Sequence, residues 1–117
     1  MSDGTLVADA VAAAIALLGG LDVLVNTVGI GAQGGVGDND GMEWARVLDV
    51  NVTWLVRLTS AALPALRQSP NAAIVNTSSV AAAVGLPERA LYSASKGAAV
   101  DALTRAMAAN LLPVGIR

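Results

Sequence analysis

The chain contains no cysteine, no histidine and no phenylalanine. Without cysteine there is no disulfide framework, no thiolate zinc site and no thiol nucleophile. Without histidine, Ser–His–Asp hydrolysis and imidazole-held metals are excluded, and no metal centre is expected. Proton transfer near neutral pH then falls to carboxylates, Tyr or Lys. Charge is also scarce, at 14% of residues and a net charge of −2. The six arginines (Arg46, Arg57, Arg67, Arg89, Arg105, Arg117) are scattered and form no basic stripe. Nucleic acid therefore has no electrostatic footprint here. The N-terminal apolar stretch from Leu6 to Leu18 is interrupted by Asp9 and has no positive region before it. It is too short to cross a bilayer, so a soluble, cytoplasmic protein is expected.

What is abundant is small aliphatic mass. Of 117 residues, 55% are hydrophobic, mostly Ala, Val and Leu. That length suits a single domain over 1–117. Such a composition suits a parallel sheet whose strands are buried on both faces, or apolar surface reserved for a partner. Residues 5–18 are Ala-rich and read as a helix stopped by Gly19-Gly20. Residues 22–28 (DVLVNTV) read as a buried strand. A glycine-rich loop covers 29–41. A helix is expected from about Glu43 to Arg67, with Trp44, Val47, Leu48, Leu55, Leu58 and Ala62 on its apolar stripe and Pro64 bending it late. Residues 73–78 read as a second buried strand, and 92–112 as a further helix. Gly115-Ile116-Arg117 reads as entry to a third strand. This alternation implies parallel strands joined by helical crossovers.

The chemistry-bearing residues are few. Tyr92 and Lys96 are the only Tyr and the only Lys. Four apart at a helix start, they share one face. An ammonium near a phenol favours phenolate, which suits an acid/base. Ser79 lies 13 residues before Tyr92, beyond a strand end, where open α/β sheets place ligands. Asn51 interrupts an apolar helix stripe, and a buried amide must find partners. Asn26 closes the first strand and could tie the two strands together. Gly29, Gly31 and Gly34 spell G-x-G-x-x-G, and Gly31, Gly35 and Gly37 spell G-x-x-x-G-x-G. A pyrophosphate cradle needs a hydrophobic helix opening directly from the turn, whereas Asp38-Asn39-Asp40-Gly41 follows here.

Taken together, these segments resemble the short-chain dehydrogenases/reductases. LDVLVNTVGI resembles that family's LDVLVNNAGI strand, with Ala replaced by Val28. VLDVNVTWLVRLTSAALPAL resembles its central helix, AAIVNTSSVAA the strand leading to its serine, and YSASKGAAVDALTRAMAANL its Tyr-x-x-x-Lys helix. The resemblance implies a partial Rossmann-like, doubly wound parallel α/β sheet. It also implies Gly-rich βαβ units before this segment and a substrate-closing segment after it, both missing from the chain. By carry-over, the catalytic set is Asn51, Ser79, Tyr92 and Lys96: Tyr92 exchanges the proton, Ser79 orients the carbonyl, Lys96 binds the nicotinamide ribose and Asn51 holds a relay water. Asn26 and Gly29, with Tyr92 and Lys96, are the implied contacts of NAD or NADP. The expected partner is a small-molecule carbonyl/alcohol pair, in a homo-oligomer. The rival expectation is a non-catalytic remnant that acts as an association module.

Overall fold

The computed structural model describes residues 4–117. Helix α1 (Gly4–Leu18) turns Val7, Val11 and Ile15 inward at four-residue spacing, and the rest of its surface faces solvent. It packs against α3 (Trp54–Leu66). Gly19 ends it in a left-handed conformation, φ 78°, with its amide bonded to the Ile15 carbonyl.

Strands β1 (Val23–Asn26) and β2 (Ala73–Asn76) pair in parallel, with Val23 opposite Ala73 and Asn26 opposite Asn76. They are shorter than the runs 22–28 and 73–78 expected. On the outer edge of β2, Ile74 N donates to Arg117 O at 2.8 Å and Arg117 N donates to Ala72 O at 3.1 Å. The expected third-strand entry is therefore in place, closed off from the preceding helix by Gly115.

The connection between the strands is helical throughout 41–66. Asp40 caps α2 (Gly41–Leu48) by accepting from Glu43 N at 2.8 Å. Arg46 grips Glu43 on the same exposed face, and this hydrogen bond holds the Glu43 carboxyl below the usual carboxylate range. The helix then widens into a π segment, Asp49–Thr53, before continuing as α3. Pro64 lies inside α3 on its solvent side. A second widening, Gly97–Ala102, separates α4 (Ala90–Lys96) from α5 (Leu103–Leu111). Regular helices were expected at both places.

The core lies between sheet and helices: Ala62, Leu66, Ala72 and Ile116 are buried, with Val11, Leu24, Ile74 and Leu111 against them. Thus α3 and α5 cover one sheet face. On the other face Val23, Val25 and Val75 are 48%, 54% and 50% exposed. This corrects the reading of strands buried on both sides: a run of Val looks the same whether one face or two is covered. Among the described residues no helix is long and apolar enough to cross a membrane.

Candidate active site

Everything with chemical potential gathers past the C-terminal ends of β1 and β2. At those ends Asn26 and Asn76 stand side by side. Asn26 Nδ2 donates to Asn76 Oδ1 at 2.8 Å and to Thr59 Oγ1 of α3 at 3.2 Å. Asn76 Nδ2 reaches Thr104 of α5 at 2.9 Å. The buried Asn26 side chain thus ties the strands to each other and to the helix layer.

Beyond β1 the backbone passes Gly29 and Ile30, where Asn51 meets it. Asn51 Oδ1 accepts from Ile30 N at 2.7 Å, and its Nδ2 donates to Ile30 O at 2.9 Å and to Ser95 Oγ at 2.9 Å. Ser95 Oγ in turn donates to Tyr92 O at 2.8 Å. Asn51 and Ser95 are almost completely buried, 1% and 0% exposed. The amide therefore behaves as a clip joining the β1 loop, the widened helix and the helix that carries Tyr92. Both Nδ2 hydrogens are committed within the fold. The π segment places it there: an inserted residue re-aims the helix face, as such bulges do near functional sites.

Beyond β2, Lys96 reaches back to Thr77. Its Nζ donates to Thr77 O at 3.1 Å, and the side chain is only 5% exposed. Gly29 lies directly against it: a Cβ there would stand 3.1 Å from Lys96 Nζ and 3.4 Å from Asn51 Oδ1. Glycine at this position leaves the flank of the ammonium clear. An ammonium has three donors. With one given to Thr77, a buried cation at a strand end suits the vicinal hydroxyls of a ribose. The residues present thus fit the nicotinamide-ribose end of a dinucleotide.

The glycine loop does not fit a pyrophosphate. Gly34 N donates to Glu88 O at 3.0 Å, and Gly35 N donates to the Asp38 carboxylate at 2.7 Å. Amides already bonded, one of them to an anion, cannot cradle phosphate oxygens.

Tyr92 and Ser79 are left open. Both are half-buried. Among the described residues the Tyr92 hydroxyl has no hydrogen-bond partner, and Tyr92 lines an open cleft of about 340 Å³ with Gly31, Ala32, Gln33 and Arg89. Ser79 caps the short turn Val80–Ala82 by accepting from Ala81 N at 3.2 Å, which leaves its own proton free to donate. That turn packs against α4, and Ser79 is outside the cleft lining. The structure thus joins Gly29, Asn51 and Lys96 and sets Tyr92 in a cleft, while Ser79 caps its own turn outside that cleft, two residues along the chain from the Lys96 partner Thr77.

Sequence reasoning missed Ser95 and Thr77. Ser95 had a signal: it lies four residues after the buried Leu91, on the same face of the helix. Thr77 acts through its carbonyl, which no side-chain pattern reveals.

Against known proteins, the short chain dehydrogenase family model matches residues 1–117. The inactive 2-(S)-hydroxypropyl-CoM dehydrogenase 2 of Xanthobacter autotrophicus is 43% identical over 117 residues, which is 100% of this chain and 50% of that protein. A trans-4-hydroxycyclohexanecarboxylate dehydrogenase of Sinomonas cyclohexanicum is 42% identical over 108 residues, 92% of this chain and 41% of that protein. The solved carveol dehydrogenase of Mycobacterium avium in complex with NAD superposes with a TM-score of 0.91 at 30% identity, over 99% of this chain and 42% of that one. The chain spans half or less of the length of each of these relatives.

Proposed function

The chain belongs to the short-chain dehydrogenase family, and from that premise we propose that it carries the proton-transfer and nicotinamide-ribose portion of an NAD(P)-dependent oxidoreductase that interconverts a small alcohol and its carbonyl compound. The observation that carries this reading is the pairing of the buried Lys96 ammonium, bonded to Thr77 and flanked by Gly29, with the unpartnered Tyr92 hydroxyl one helical turn away. A bound nicotinamide supplies the hydride acceptor in oxidation and the hydride donor in reduction. In oxidation Tyr92, as phenolate, would take the alcohol's proton as hydride leaves its carbon, and in reduction the phenol would return a proton to the carbonyl oxygen. Ser79 donates to that same oxygen with the proton its capping role leaves free. Lys96 holds the ribose, and Asn51 with Ser95 fixes the helix on which Tyr92 and Lys96 stand. Relatives named for hydroxycyclohexanecarboxylate and carveol support a small hydroxy compound as the substrate.

Calorimetric titration of NADH and NADPH into the folded chain tests the reading. Where the chain binds, Lys96→Ala should weaken binding about 10-fold or more, the scale of a hydrogen bond to a charged group. Equal binding by Lys96→Ala would contradict the reading, and no binding by a folded wild-type chain would assign cofactor binding and activity to a longer parent.

A second reading is favoured by a separate observation, the exposed Val23, Val25 and Val75 on the uncovered sheet face. In this reading the chain associates through that face with another polypeptide, a second copy first of all, and its polar cluster is scaffolding.

A further inference from the structure

The glycine loop is no phosphate cradle, yet its shape is tightly fixed. Gly34 and Arg89 form a parallel bridge, with Ala90 N donating to Gly34 O at 3.2 Å. Gly34 has φ 130°, and a Cβ there would stand 2.9 Å from Asp38 Cβ, so no side chain fits without a shift. Asn39 Nδ2 secures the preceding turn by donating to Gln33 O at 3.1 Å. Across the bridge, Glu88 holds a left-handed backbone at φ 57°, the only described non-glycine residue to do so. Such conformations persist where surrounding structure enforces them, and they concentrate at ligand sites. Here the strain aims the Glu88 carbonyl, which accepts from both Gly34 N and Arg89 Nη1, the latter at 2.7 Å.

The result is a cation set beside Tyr92. Arg89 is half-buried and pairs with no carboxylate among the described residues. Glu88 O takes one of its N–H groups; a guanidinium has five. Arg89 borders the same cleft as Tyr92, three residues further along the chain. The other lining residues, Gly31, Ala32 and Gln33, bring no acidic group to repel an anion. The volume, about 340 Å³, suits a small molecule. Guanidinium matches a carboxylate with two parallel hydrogen bonds, a geometry that also fixes orientation.

We infer that Arg89 is the specificity-determining residue of this cleft, and that it takes a small hydroxy acid or keto acid by its carboxylate. The carboxylate then orients the hydroxyl-bearing carbon toward Tyr92. This rests on the reading of Tyr92 as the acid/base, but the binding can be tested apart from turnover.

The probes are 3-hydroxybutanoate and its uncharged counterpart 3-hydroxybutanamide, titrated into the chain at low salt and followed by NMR. The acid is expected to bind about 10-fold or more tighter than the amide, the scale of charge-assisted hydrogen bonding. Arg89→Gln should abolish that preference, and Arg89→Lys should restore part of it. Circular dichroism shows whether each variant is folded; Arg89 contributes one side-chain bond to the loop, so both variants should be. Equal binding of the two probes, undetectable binding of the acid, or a preference that survives Arg89→Gln overturns the inference. An Arg89-dependent preference without any turnover upholds it while sinking the oxidoreductase reading. Turnover that ignores the carboxylate does the opposite.

Discussion

Two neighbouring regions of the site are built on opposite plans. Around Asn51 every side-chain hydrogen is spent: Ile30, Ser95 and the Tyr92 carbonyl are linked in one chain of hydrogen bonds, buried at Asn51 and Ser95 and partly buried at its ends. Around Tyr92, on α4, the hydroxyl is unpartnered among the described residues and the surroundings form an open cleft. Satisfied buried networks hold geometry, and unsatisfied groups at a cleft are available for substrate. Residues carried over from a family as one proposed catalytic set therefore sit in different surroundings: Asn51 is bonded within the fold, the Tyr92 hydroxyl has no hydrogen-bond partner among the described residues, and Lys96 is buried with one bond, to Thr77.

The contrast can be sharpened by breaking its closed half. Asn51→Ala leaves Ile30 N and O without their partner and removes an acceptor–donor link to Ser95. Each buried group left unmade costs roughly 1–3 kcal/mol, so a loss of about 3 kcal/mol in unfolding free energy is expected from denaturant titration. A loss under about 1 kcal/mol would mean that the clip is not structural. The smallest effect belongs to the uncovered sheet face. Val25, 54% exposed, should tolerate Thr within about 0.5 kcal/mol at micromolar concentration. Sedimentation of wild type and Val25→Thr side by side checks the association reading. A larger loss together with a shift from oligomer to monomer would show that the face is covered in solution.

Sequence located the elements well because their signals are local. Gly19 ends α1 and the apolar runs 22–28 and 73–78 contain β1 and β2, while α2 begins at Gly41, two residues before the expected Glu43, behind the Asp40 cap. The alternation of elements pointed to a parallel sheet, and the chain has one. Asn26 tying the strands was also readable, since a buried amide at a strand end has few other uses. The π segments were not readable. A widened turn keeps nearly the same apolar stripe, so the periodicity around Val47 and Leu55 reads as regular helix. The burial of the strands was overestimated for a related reason: Val23 and Val25 read as core by type, while the covering layer is a tertiary fact. The glycine loop shows a third limit. Gly29, Gly31 and Gly34 match a phosphate pattern in spacing, but the hydrogen bonds of Gly34 and Gly35 are already taken inside the fold. Ser79 was read at the end of the strand expected over 73–78; it sits three residues past β2, at the cap of a short turn.

The most direct test of the division between the two regions is the rate of NAD(P)-linked oxidation of a secondary alcohol by wild type and by Tyr92→Phe, with thermal unfolding recorded on the same samples. Removing the hydroxyl takes away the proposed proton-exchanging group but no hydrogen bond within the described structure. The expected result is a rate at least about 100-fold lower, the usual minimum for losing a general acid/base, with stability within about 0.5 kcal/mol of wild type. A variant that keeps the wild-type rate, or one that loses activity only by unfolding, would contradict the assignment of Tyr92 as the reacting group.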